Sequence, residues 1–144
     1  MKLLKTILVF LFAIATTSCE NDCPNTKEAD FNLSSDYLEQ TVWEGLFVMY
    51  DTTDSEPLQG HVNIFFKTES SVIFTVTYSN KEISPSKETV EYTAKKDMLS
   101  LVGSPSLLSG GDWLLIEGSK DRLLLGKDLQ NGNWTQKMTL TRKY

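Results

Sequence analysis

Residues 60–79 read GHVNIFFKTESSVIFTVTYS, and the pattern in this stretch decides the class of fold. In both halves, large apolar residues occupy every second position and mostly polar residues lie between them. A period of two predicts β-strands with one face buried and the other in water, as in an antiparallel sheet. The polar turn between the halves predicts a hairpin. The two predicted buried faces consist of Val62, Ile64 and Phe66, and of Val72, Phe74, Val76 and Tyr78.

Similar β-rich runs continue on both sides of this hairpin, separated by turn residues. No segment after residue 37 keeps a helical apolar stripe over the ten or so residues that a helix would need. Eight runs with short links predict an all-β domain, a small antiparallel up-and-down β-barrel of about eight strands, because closure removes exposed sheet edges. The runs are TVWEGLFVMYD, GHVNIFFKT, SVIFTVTYS, ETVEYTAKK, MLSLVG, DWLLIEG, RLLLGK and NWTQKMTLTRK.

The first eighteen residues have the composition of a secretory signal peptide. Lys2 and Lys5 precede a continuous apolar run over 7–15, which small residues follow. This run is well short of the roughly 20 residues that span a bilayer, so we do not expect a permanent membrane helix here.

The signal peptide leads into TTSC at 16–19, which resembles the lipobox of bacterial lipoproteins. The resemblance implies cleavage after Ser18, attachment of lipid to Cys19, and export to the outer membrane, on its periplasmic or its surface side. The acyl chains alone would then hold the protein on the membrane. With Cys19 modified, Cys23 is the single remaining thiol, which we expect to lie in a mobile tail; an intermolecular disulfide is the alternative.

Charge and composition limit the partners and divide the chain. The formal net charge of −5 argues against nucleic acid and against a polybasic contact with anionic lipid. Residues 19–36 are polar and acidic without periodicity, which predicts a flexible tether. The remaining 37–144 suffice for one compact domain.

Within this domain, four segments resemble the lipocalin-like lipoproteins of Bacteroidota: LEQTVWEG, YTAKKDMLSLVG, DWLLIEGSKDRLLLGK and MTLTRKY. The resemblance implies a lipocalin-like barrel and, by position, a pair formed by Trp43 on the first strand and Arg142 on the last. In lipocalins an arginine stacks under this tryptophan at the closed end, so we hypothesise a cation–π contact; an exposed terminal Arg142 is the alternative. Thr41 stands where lipocalins usually have glycine.

The interior of such a barrel either is packed with side chains or holds one small molecule. Its predicted lining, and therefore the candidate ligand cavity, comprises Phe66, Phe74, Tyr78, Tyr92 and either Met98 or Leu99, depending on register; we choose Met98. In a domain this short, large inward aromatics favour a filled core. Leu107 and Leu108, in a Gly/Ser-rich loop, are candidates for a lid, or they tuck under their own turn.

The sequence contains no recognisable catalytic or metal-binding motif. Zinc needs about four ligands, and one free cysteine and one histidine do not supply them. The acidic loop DTTDSE at 51–56 lacks the spacing and glycine of a calcium site. His61, the only histidine, has no partner at motif spacing. We therefore predict a protein without enzymatic activity, metal or cofactor.

Two functions remain open at this point. One is the binding of a small apolar ligand in the barrel mouth. The other is an interaction module with a filled barrel, which docks onto another envelope protein. The family resemblance places the binder slightly ahead.

Overall fold

The computed structural model of this chain describes residues 31–50, 56–103, 108 and 110–144. The predicted signal peptide, Cys19, Cys23 and Leu107 lie outside these residues, as does most of the acidic loop. Within the described ranges the elements are β1 (Leu33–Ser34), α1 (Ser35–Leu38), β2 (Thr41–Met49), β3 (Leu58–Phe66), β4 (Ser71–Tyr78), β5 (Ser86–Lys96), β6 (Met98–Val102), β7 (Gly111–Gly118), β8 (Arg122–Gln130) and β9 (Asn133–Arg142).

Strands β2 to β9 form a closed antiparallel barrel. Each pairs with its neighbour in sequence, and the last strand, β9, returns to pair with β2. Closure leaves no long free edge in the eight-stranded ring. The predicted class, a small up-and-down barrel of eight strands as in lipocalins, is confirmed; the two-residue β1 is an addition that pairs with the end of β5.

The barrel has two different ends. At one end lie α1, the start of β2, the end of β9 and the short turns at 67–70, 97 and 119–121; we call it the plugged end. At the other end lie the connections between β2 and β3, β4 and β5, β6 and β7, and β8 and β9; we call it the loop end. Three of these four connections are longer than any turn at the plugged end.

The core fills the barrel with side chains from alternate positions of every strand. Burying them removes apolar surface from water, which is the main favourable contribution to folding. The predicted alternation in β3 and β4 is confirmed, since all seven residues of the two predicted buried faces are at most 7% exposed. Two tryptophans, Trp43 on β2 and Trp113 on β7, are the largest fully buried side chains of the described part.

The folded part begins earlier than residue 37. Leu33 in β1 is buried and joins the core, and Leu38 of α1 is fully buried. Ser34 caps the one-turn helix α1, because its hydroxyl oxygen accepts a hydrogen bond of 3.2 Å from the backbone N–H of Tyr37. The predicted tether is therefore too long at its C-terminal end, by at least residues 33–36. Its polar composition concealed one buried leucine, Leu33.

Candidate functional site

The aromatic side chains predicted to line a cavity pack against one another. Phe66 and Tyr92 make an edge-to-face contact with ring centroids 4.9 Å apart at the plugged end. Tyr78 makes a similar contact, at 5.6 Å, with Phe47 of β2. Phe74 is also buried, at 5% exposure. Edge-to-face pairs of this kind add stability beyond the burial of their area.

Met98 does not line the barrel, and Leu99 takes its place. The turn between β5 and β6 pairs Lys95 with Met98, and Lys96 adopts a left-handed φ of 60°. This register places Leu99 opposite Ala94 and turns it into the core, where it is fully buried. Met98 therefore lies on the other face of the strand, half-buried. The choice of Met98 was wrong because one residue of turn length inverts the parity of a strand.

Arg142 faces a different ring from the one predicted. Trp43 and Arg142 are register partners across β2 and β9. The guanidinium carbon, however, lies 5.4 Å from the ring centroid of Tyr37, a residue of α1. Tyr37 in turn lies 6.5 Å from Trp43, centroid to centroid. The cation–π contact of Arg142 is thus with Tyr37, because α1 packs over the tryptophan at the plugged end.

The indole N–H of Trp43 makes a buried hydrogen bond inside the barrel. It donates a hydrogen bond of 2.8 Å to the hydroxyl oxygen of Thr41, and this hydroxyl donates to the backbone oxygen of Leu38. A glycine at 41 would leave the buried indole N–H without this acceptor. The threonine at this position thereby links the first barrel strand to α1.

Tyr92 connects β5 to a turn at the plugged end through its hydroxyl group. Its hydroxyl donates to the backbone oxygen of Thr68 at 2.9 Å, in the turn between β3 and β4. Burial, together with the nearby carboxylates of Glu39, Glu69 and Asp36, raises the pKa of Tyr92 to about 12. The phenol therefore remains a neutral donor at any physiological pH.

This raised pKa predicts a loss of stability in alkali. Below pH 10 both the folded and the unfolded state hold the phenolic proton, so the stabilisation is complete. Between pH 10 and about 12 the unfolded state releases the proton first, and the free energy of unfolding falls by about 2 kcal/mol. Denaturant titrations across this range should show the decline. Tyr92→Phe should flatten it, whereas the control Tyr144→Phe, at an exposed tyrosine, should retain the wild-type slope.

The loop end carries the one lid candidate that the structure describes. Leu108 is 2% exposed and belongs to the hydrophobic core, although it lies in the connection between β6 and β7. The other lid candidate, Leu107, lies outside the described residues. Leu108 thus packs against the core from a loop.

Polar side chains outside the predicted lining occupy inward positions near this end. Lys127 of β8 is 8% exposed and has the parity of the buried Leu123 and Leu125. Its ammonium donates to the backbone oxygen of Gly110 at 2.8 Å and lies 5.9 Å from the ring centroid of Trp113. A lysine is rarely buried so fully unless its ammonium has a partner, and here the backbone oxygen of Gly110 is one.

Three buried polar atoms of the described part have no hydrogen-bond partner. They are Ser86 Oγ on β5, Trp113 Nε1 on β7 and Gln136 Oε1 on β9. An unsatisfied buried group costs about 1–3 kcal/mol, so three in one small domain need an explanation. Trp113 is fully buried. Gln136 is the register partner of Lys127, which places these two polar side chains side by side.

Sequence reasoning missed these residues, although a signal was present. Lys127 continues the inward parity of Leu123 and Leu125, and Gln136 continues that of Met138 and Leu140. Ser86 likewise extends the inward positions of β5. A polar residue that continues an apolar parity toward one end of a barrel is the pattern that would have identified them.

The outer surface carries an apolar patch on β7, β8 and β9. Trp134, whose parity predicts burial with Met138, is only half-buried, and its ring lies over Gly126: a Cβ at this glycine would lie 2.5 Å from the tryptophan Cδ2 atom. The partly exposed side chains around it complete the patch. We call the set of Leu114, Ile116, Leu129 and Trp134 the outer apolar patch.

No group of three or more His, Cys, Asp or Glu side chains suited to a metal ion occurs in the part of the chain that the structure describes. None of the helices described is long and apolar enough to cross a membrane. No protein-family model matches the sequence, and no curated protein matches it. The function must therefore be argued from the site itself.

Proposed function

We propose that this chain is an exported, lipid-anchored envelope protein whose lipocalin-like barrel binds a small, largely apolar ligand at the loop end. The proposal of a ligand rests on a difference in hydrogen bonding between the two ends of the barrel. At the plugged end the indole of Trp43 and the phenol of Tyr92 have hydrogen-bond acceptors. Toward the loop end, three buried polar atoms have no hydrogen-bond partner.

A ligand accounts for this difference because binding sites are mostly apolar and contain a few convergent polar groups. Eight strands enclose enough space for one small molecule if side chains at the mouth move aside. Leu108 is the described side chain in the position to move, since it reaches the core from a loop rather than from a strand. In this proposal the ligand replaces Leu108 against the core.

Mass spectrometry of the protein taken from its own envelope tests anchor and ligand together. We expect a covalent mass increase of a diacylglyceryl group, with or without a further acyl chain, which peptide mapping assigns to Cys19. Under native conditions we expect a second, non-covalent mass that is lost on unfolding. An unmodified Cys19 would contradict the anchor. Protein that carries no small molecule and binds no apolar fluorescent probe would contradict the binder.

The outer apolar patch favours a second function, docking onto another envelope protein. Leu129 is 56% exposed and is the register partner of Trp134, so the patch is continuous across β8 and β9. Leu129→Lys should abolish such docking and leave ligand binding intact. If crosslinking in the envelope recovers the same partner with the wild type and with Leu129→Lys, the patch is not the docking surface.

A further inference from the structure

We infer that the ligand is an amphiphile whose polar end carries both a hydrogen-bond acceptor and a hydrogen-bond donor, of which a hydroxylated fatty acid is the simplest form. The inference rests on the proposed ligand-binding function and specifies the chemistry of that site. Three residues on the neighbouring strands β7, β8 and β9 carry it: Trp113, Lys127 and Gln136.

Trp113 requires an acceptor. An indole N–H can only donate, and the Nε1 atom of Trp113 is buried without a partner. Trp43 provides the contrast, since its N–H donates to Thr41 at 2.8 Å within the same barrel. A carbonyl or carboxylate oxygen of a ligand would supply to Trp113 what Thr41 supplies to Trp43.

Gln136 requires a donor. Its amide nitrogen donates to the Oδ2 atom of Asp128 at 3.1 Å. A carboxylate can only accept, so Asp128 fixes the orientation of the amide and leaves Oε1 as the buried atom without a partner. A hydroxyl or amide N–H of a ligand would satisfy this oxygen.

Lys127 places the two requirements next to each other. It is the register partner of Gln136, and its ammonium lies 5.9 Å from the ring centroid of Trp113. An acceptor in reach of the indole N–H therefore lies close to the amide oxygen of Gln136. Ser86 on β5 is also unpartnered, but a hydroxyl accepts and donates, so it does not discriminate between ligand types.

Two acids of equal chain length test the inference: decanoic acid and 3-hydroxydecanoic acid, which compete with a bound apolar fluorescent probe on the full-length protein. We expect the hydroxy acid to bind about fivefold more tightly to the wild type, the effect of one hydrogen bond. Gln136→Met should abolish this preference. Trp113→Phe should weaken both acids about fivefold and keep the preference, whereas Trp43→Phe, the matched control, should change neither.

A second measurement needs no variant. 3-Methoxydecanoic acid cannot donate from its ether oxygen, so we expect it to lose the advantage of the hydroxy acid on the wild-type protein. Equal affinity for all three acids, or undiminished binding in folded Trp113→Phe, would overturn the inference and leave the binder in place. Failure of the probe and of every acid to bind would overturn the proposed function as well.

Discussion

Trp43→Ala is expected to lower the free energy of unfolding by about 3–5 kcal/mol, the loss typical of a large aromatic side chain removed from a core. Trp43 is fully buried, and its ring packs under Tyr37 while its N–H donates to Thr41. The substitution therefore leaves a cavity and removes the polar link between β2 and α1. Urea titration followed by circular dichroism measures the loss.

Trp134→Ala provides the matched control, because it makes the same change in side-chain size on the outer face. Trp134 is half-buried, so its loss should be clearly smaller. Equal losses at the two positions would mean that Trp43 does not anchor the plugged end. An unchanged urea midpoint in Trp43→Ala would contradict the packing described here.

Leu108→Ala should combine a loss of stability with a gain in binding. A buried leucine truncated to alanine costs about 2–5 kcal/mol, and the space it leaves lies where we propose the ligand to bind. We therefore expect an earlier thermal transition together with tighter or faster binding of an apolar fluorescent probe. Differential scanning calorimetry and stopped-flow fluorescence measure the two effects.

Leu46→Ala serves as the comparison, since Leu46 on β2 is 54% exposed and the change should stay within about 0.5 kcal/mol. A loss of stability in Leu108→Ala without any change in probe binding would assign Leu108 to the core alone. It would then remove the proposed entry point for the ligand.

The strands and their buried faces were predictable because alternation in β3, β4 and β5 is a local property of the sequence. Closure followed from the number of strands and the short links. Alternation did not predict which residues of β6 face the interior, since one residue in the turn before Met98 decides which face of the strand is buried. A periodicity inside a strand does not contain that information.

The candidate site was harder to predict than the fold. Helix α1 begins inside the segment predicted to be a tether, so its packing over Trp43, and with it the contact of Tyr37 with Arg142, could not be inferred. The sequence analysis did not single out Lys127 or Gln136, because a polar residue on a strand is usually exposed. Only the structure shows that Gln136 leaves one amide oxygen buried and without a partner.

Phe31 and Tyr144, the first and last residues described, lie close to the same rim of the barrel. The ring of Phe31 is 5.2 Å from that of Tyr37, centroid to centroid, and the backbone oxygen of Tyr144 accepts a hydrogen bond from Val42. A molecule immobilised on a sensor chip through Tyr144 would therefore have its loop end directed away from the point of attachment. Such an arrangement suits direct measurement of association rates, because the attachment does not obstruct access.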